Sequence, residues 1–317
     1  MEALKLKEQR EEVENLVPGK RVGEINLAER TVVLSVRTSI VGMQRKVSTD
    51  EIEAEADKKS LTVQKTLMKS PSLDRLKSLR GSINREVSKL ALPVSHFRKG
   101  TYLLPVQLVE LMENRLNKLS VEWDRSVAAF MAEYPQVIDE ARERLNGLFN
   151  PNDYASEEAI KNNFRFDWNY SVASTPQSLE GISKSLFERE QQRAAQQWRD
   201  AEYEIRSALR EGFAGLVDHF VERLTPDSDG KKKRFHTSFV DGFRDFLDTF
   251  NGRNLTDDVQ LNNLVVKAQK LMEGIDIDLL RKDEGLRERV LGSFENLKTS
   301  SDGLVVKKSR AISFDDD

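Results

Sequence analysis

From Val109 to Leu148 the apolar residues fall at Val109, Met112, Leu116, Leu119, Trp123, Val127, Phe130, Tyr134, Val137, Ala141, Leu145 and Leu148, always three or four positions apart. A mean spacing of about 3.5 residues keeps that stripe on one helical face throughout. A helix this long, roughly 60 Å, outlasts a small core and has to lie along another long helix. Pro135 removes a backbone donor inside the stripe, which predicts a kink or break without loss of register. Pro105 suits the first turn of the same helix, and Asn150-Pro151-Asn152-Asp153 closes it. A second run, through Leu179, Ile182, Leu186, Ala194, Trp198, Ala201, Ile205, Leu209, Phe213, Leu216 and Phe220, predicts a second long helix from beyond Thr175-Pro176 to about Leu224. Its polar stretch Glu188–Arg193 marks where that helix leaves the core.

Between these runs the period changes. Glu29–Val47 is rich in Val, Thr, Ile and Ser and reads as one or two strands around Gly42. Phe164, Phe166, Trp168, Tyr170 and Val172 alternate with polar residues, the pattern of a half-buried strand with an aromatic face. Val94–Leu104 predicts a hairpin turning at Lys99-Gly100. Ser70-Pro71 opens a helix carrying Leu73, Leu76, Leu79, Ile83, Val87 and Leu90 on one face and ending before Pro93. Shorter helices are predicted at 2–16, from Ser48-Thr49-Asp50-Glu51 to about Asp57, after Ser156, and at about 237–250, 256–273 and 278–298. The fold class is therefore mainly α with a small antiparallel β-sheet (α+β), elongated, with long helical arms and a C-terminal helical cluster. The expected divisions are 1–104, a strand and helix region; 105–235, the arms with an intervening strand; 236–300, the C-terminal cluster; and 301–317, a polar, acidic tail.

Composition narrows the chemistry. Charged residues make up 32% of the 317 and hydrophobic ones 38%, which suits long exposed helices better than a thick α/β core. There is no cysteine, which excludes disulfides, thiolate metal sites and a cysteine nucleophile and points to a reducing cytoplasm. The charged N-terminus does not resemble a signal peptide. No window approaches the roughly 20 apolar residues of a membrane span, so a soluble chain with no membrane partner is expected.

Sites for catalysis are hard to find. No Gly-x-x-x-x-Gly-Lys-Ser/Thr loop and no Gly-x-Ser-x-Gly elbow occurs. His96, His219 and His236 are scattered; His219 and Glu222 have a ligand-compatible spacing, but a capped or solvated histidine is the simpler reading. The acidic pairs Asp227/Asp229 and Asp276/Asp278 fit capping and turns better than Mg²⁺ binding. No catalytic, cofactor-binding or metal site is predicted. The strongest charge feature is Lys58–Leu104, with eleven basic residues against only Asp74 and Glu86. Arg75, Arg80, Arg85, Lys89, Arg98 and Lys99 there are the candidate nucleic-acid contacts; a solvated face answering acidic neighbours competes with that reading. The cluster Lys231-Lys232-Lys233-Arg234 adds little. The aromatic strand could stack bases, though an aromatic stripe more often belongs to a core. Leu108, Leu111, Val121 and Ile138 lie off the main stripe of the first arm and widen its apolar surface beyond what one partner helix covers. They predict the interface of a homo-oligomer or obligate complex. The tail ending Phe314-Asp315-Asp316-Asp317 reads as disordered, though a hydrophobic residue followed by acids can be a docking tip.

Several segments together resemble an uncharacterised phage and bacterial family, domain of unknown function 3150. They are VVLSVRTSIVGMQRKV, SLDRLKSLRGSINREV, FRKGTYLLPVQLVELMENRLNKL, FMAEYPQVIDEARERL and YASEEAIKNNFRFDWNY, spanning about 29–175. The resemblance implies a phage or bacterial cytoplasmic protein, acting in the host cytoplasm if phage-encoded. It also implies an assembly or remodelling partnership with a MoxR-type AAA+ ATPase and a von Willebrand factor A-type protein. The expected function is a non-enzymatic scaffold or adaptor; the alternative is a nucleic-acid-binding protein using 58–99.

Overall fold

The structure, a computed structural model, describes residues 27–49, 52–53, 55–94, 100–227, 233, 237–273 and 275–305. The predicted helix at 2–16 and the tail beyond 305 lie outside them. The fold is mainly α with small antiparallel sheets, 69% helical and of the α+β class. No helix among the described residues is long and apolar enough to cross a membrane.

A single turn, α1 (Leu27–Arg30), leads into β1 (Thr31–Ser39), and β2 (Gln44–Val47) follows. The strand-rich segment 29–47 thus divides as expected, but the two strands do not pair with each other. β2 pairs with β3 (Val63–Thr66) in a two-stranded ribbon that composition did not reveal. The helix predicted up to Asp57 is absent at the described positions 52–53 and 55–57. Asp57 instead caps the short 3-10 turn Lys58–Ser60 by accepting from the Lys59 amide.

Helix α2 (Pro71–Leu90) begins where its sequence says. The Ser70 hydroxyl accepts from the Ser72 and Leu73 amides, with Pro71 in the first turn, where its missing N–H costs nothing. β4 (Thr101–Pro105) then pairs with β1. Of the predicted hairpin Val94–Leu104, residues 95–99 lie outside the described residues; among those described, Leu92 bridges Leu103, and Gly100 has a φ of 85° that favours glycine. Pro105 ends this strand instead of opening the long helix, because the 3-10 turn Val106–Leu108 intervenes.

Helix α3 (Val109–Leu145) is continuous through Pro135. The ring stands on the exposed side, and Phe130, Tyr134, Val137 and Ala141 stay buried across it, so the register survives without a break. A short α4 (Glu157–Lys161), capped by Ser156, precedes β5 (Arg165–Ser171). β5 pairs with the other edge of β1, giving the order β4-β1-β5. The second long run breaks once: α5 (Ser178–Ile182) stops at Ser183, whose hydroxyl caps α6 (Lys184–Leu224). Four helices follow, α7 (Thr237–Arg253), α8 (Val259–Glu273), α9 (Ile277–Lys282) and α10 (Glu284–Asp302).

The first long helix was expected to lie along another long helix, but both long helices take shorter partners instead. α3 lies along α2, and α6 along α10. Two apolar clusters result. One joins the inner faces of α2 and α3 to Leu34, Val36 and Leu104 of the sheet. The other gathers the C-terminal half of α6 with α7, α8 and α10 around Phe213, Phe220, Phe243, Phe250 and Phe294. The amphipathic α2 and the late helices supply shorter apolar stripes, which cover part of the face each long helix has to offer.

Candidate functional site

With its leucines turned onto α3, α2 carries its basic residues outward, where carboxylates meet most of them. Arg75 lies 3.2 Å from Glu122 and Lys77 2.9 Å from Asp74. Lys89 reaches Glu86 at 2.9 Å and Asp245 at 3.2 Å. Arg85 donates to the Ser82 hydroxyl at 2.8 Å, and Arg80 is exposed. Arg98 and Lys99 lie outside the described residues, as do His96, His236, Asp229, Lys231, Lys232 and Arg234. Lys233 stands 3.8 Å from Glu222.

Farther back in the basic segment, Lys65 of β3 and the facing Arg45 of β2 converge on Asp153, at 2.7 and 2.8 Å. The Asp153 side chain is only 4% exposed, so it anchors the ribbon to the turn that follows α3. A depression of about 530 Å³ beside them is lined by Arg45, Lys46, Lys65 and Asp153. A larger one, about 740 Å³, lies between the ribbon and the start of α2 and includes Lys69, Asp74 and Lys77. Neither sets a nucleophile against a base.

A polar ring that the sequence pattern did not reveal links three helices. Arg115 on α3 bridges Glu86 of α2 at 2.8 Å and Asp245 of α7 at 3.0 Å, and Lys89 closes the ring. Burial alone would raise the Asp245 carboxyl. The hydrogen bond and charge of Arg115, and then of Lys89, outweigh burial and hold it below its ordinary range. The Glu86 hydrogen bond likewise raises the Lys89 ammonium. A second pair, Arg210 to Asp258, forms at 2.6 and 3.1 Å and ties α6 to the start of α8. These groups hold helices together.

Lys89 therefore does not behave as a free surface cation. Arg75→Glu is expected to shift the melting temperature by less than about 2 °C, whereas Lys89→Glu, facing Asp245 and Glu86, should lower it by roughly 3–6 °C. Equal shifts in a thermal melt would show that the Lys89 contacts carry no stability.

The aromatic strand is committed to the core. Phe166, Trp168 and Tyr170 turn toward α3, where the Trp168 indole and the Tyr170 hydroxyl both donate to Glu113 at 2.9 Å. Burial, then the Glu113 hydrogen bond, push the Tyr170 phenol well above its usual value. A base-stacking face is thus not presented on that side.

The four residues assigned to an interface separate in the structure. Leu108 is 8% exposed and fills the space over Gly252, where a Cβ would meet its side chain at 2.5 Å. It belongs to the contact between the two clusters of one chain and adds nothing to the outer surface. Ile138 is half-buried against the first cluster, while Leu111 and Val121 are exposed.

His219 sits edge-on to Phe239, 3.4 Å from Glu222, and Arg223 donates to its Nε2. Asp276 accepts from the Leu279 amide, a capping contact. Among the described residues no three His, Cys, Asp or Glu side chains come together as a metal site. One buried cation is poorly matched: Arg253, 8% exposed, stacks its guanidinium 4.6 Å over Phe246, and its Nε and one Nη have no hydrogen-bond partner among the described residues. Burial lowers it to about 10. Arg253→Met is expected to raise the melting temperature by about 2–5 °C, since an unpaired buried charge costs more than an apolar side chain of similar length. The charge penalty is present at neutral pH and lifts only as pH rises past about 10. A clear fall in melting temperature would mean the cation–π contact outweighs desolvation.

Taken together, the described residues form a mainly α protein whose polar clusters brace helices against one another. The chain belongs to the family described as protein of unknown function (DUF3150), whose model matches residues 28–264. The match continues well past the 29–175 stretch of resemblance and takes in the whole of α6 and α7. No curated protein and no solved structure matches the chain.

Proposed function

We propose that this chain is a non-enzymatic scaffold or adaptor of the phage or bacterial cytoplasm, which works by holding protein surfaces: its own copies, or a MoxR-type AAA+ ATPase. One observation carries the reading. The first half of α6, Lys184–Asp200, contributes no buried side chain, and every buried position of that helix lies from Ala201 onward. Helices owe most of their stability to packing, so a long exposed segment calls for a partner. Leu186, Phe187 and Trp198 there are half-buried, while Ile182 and Val172 beside it are 76% and 73% exposed. The segment 173–179 covers one side of this arm and leaves an open depression of about 360 Å³ with mixed polar and apolar walls. The nucleic-acid reading of 58–99 draws less support, because Arg75 and Lys89 already have carboxylate partners.

The test is direct binding of the purified chain to the purified MoxR-type AAA+ ATPase from the same genome, followed by size-exclusion chromatography after nuclease treatment. A complex that survives moderate salt and is lost in the Ile182→Glu/Phe187→Glu variant is the expected result. Absence of any complex, together with nucleic-acid affinity falling steeply with salt, would replace the scaffold with the nucleic-acid reading.

A further inference from the structure

The three-stranded sheet has two edges, and they are treated differently. The β4 edge is closed by the Leu92 bridge and by Pro105, which has no N–H to offer. The β5 edge carries no proline, and among the described residues no strand pairs with it. Its backbone polarity follows from the register. The Val36 amide donates to the Gly100 carbonyl at 2.8 Å, so the backbone groups of Val36 point toward β4. Its alternation partners Leu34 and Thr38 do the same. The β5 residues opposite Leu34, Val36 and Thr38 are Tyr170, Trp168 and Phe166. Those three therefore turn their N–H and C=O groups outward, a row of unpaired ladder positions.

We propose that β5 is a self-pairing edge: a second copy of this chain adds its own β5 antiparallel across a two-fold axis at Trp168, merging the two sheets. The sequence RFDWNYS is self-complementary in that register. Trp168 faces Trp168, Phe166 faces Tyr170, and both pairs use outward-turned backbone groups. On the opposite face Asp167 meets Asn169 and Arg165 meets Ser171, so no like charges oppose. Sliding the pairing to centre on Asp167 keeps the backbone matched but sets two aspartates against each other, which disfavours it. Side-chain exposure agrees. Phe166, Trp168 and Tyr170 pack on α3 yet remain half-buried, and among the described residues no strand lies beyond β5. Val172, 73% exposed at the strand's end, falls opposite the second copy's Phe164. This interface lies on the sheet and meets the α6 arm, on which the scaffold reading rests, only at Val172; the two are tested with different variants.

Sedimentation equilibrium of the full chain reads the outcome. The parent is expected to form a concentration-dependent dimer of 36.3 kDa subunits. Asn169 and Asp167 are exposed, with Asp167 opposite Arg37 of β1, and circular dichroism checks that each variant keeps the fold. Asn169→Asp opposes Asp167 twice per dimer and should weaken association about tenfold. Asn169→Lys should tighten it by a similar factor, and Asp167→Lys combined with Asn169→Asp should restore it. Amide exchange at Phe166, Trp168 and Tyr170 should slow with concentration. A parent that stays monomeric at high micromolar concentration, or a dimer indifferent to all three variants, would overturn the proposal, whatever the arm variants do.

Discussion

Phe220→Ala should be among the most damaging single truncations in this chain, lowering unfolding stability by about 3–5 kcal/mol. Phe220 is fully buried. Its ring stacks on Phe294 at 4.1 Å and 9°, and touches Phe239 and Phe243 at 5.5 and 5.6 Å. It is thus the point where α6, α7 and α10 meet, and removing it leaves a cavity bounded by three rigid helices that cannot collapse together. Aromatic pairs add about 0.5–1.5 kcal/mol beyond the area they bury. Val121→Ala, at a half-exposed position on α3, is the control and should change stability by less than about 0.5 kcal/mol. Urea denaturation followed by circular dichroism reads both. A loss below about 1 kcal/mol for Phe220→Ala would mean that this cluster is loosely packed.

Arg115→Met is expected to cost about 2–3 kcal/mol and to make unfolding less cooperative. Arg115 bridges both α2 and α7 from α3, tying the first cluster to the second. Without it, Glu86 and Asp245 share only Lys89. The pH dependence follows from the depressed Asp245 carboxyl. A group whose folded value lies below its unfolded one contributes stability above the ordinary aspartate value and loses it as pH falls through the folded value. The parent should therefore lose this contribution below about pH 4, and Arg115→Met should lose less over the same range. Calorimetric scans between neutral pH and pH 3 distinguish the two. Parallel acid profiles would show that the ring contributes nothing to stability.

Several helix and strand boundaries were legible from local signals, although the cap signal at Ser48-Thr49-Asp50-Glu51 leads to no helix at 52–53 and 55–57. The three-and-four spacing from Val109 onward predicts α3, and Ser70-Pro71 and Ser156 mark the starts of α2 and α4 because capping involves neighbours in the chain. The alternation Phe164–Val172 predicts β5 for the same reason. Pro105 was ambiguous: a fixed φ near −65° suits a strand end as well as a helix start. The ribbon strand β3, with Lys65 and Gln64 among its four residues, carries too little periodicity to detect.

The sequence by itself determined which face of most elements is apolar, since a 3.6- or 2-residue apolar period fixes a face whatever lies against it. It also determined the mainly α class and the family to which the chain belongs. Only the tertiary structure decided which faces meet: α3 with α2, α6 with α10, and Leu108 against Gly252. Apolar stripes are interchangeable in energy to first order, because burial is non-directional. The partner is selected by shape, connection length and a few directional contacts, such as Arg115 to Asp245, whose residues lie 130 positions apart. No local pattern encodes a contact over that distance, so the pairing becomes visible only once the chain is folded.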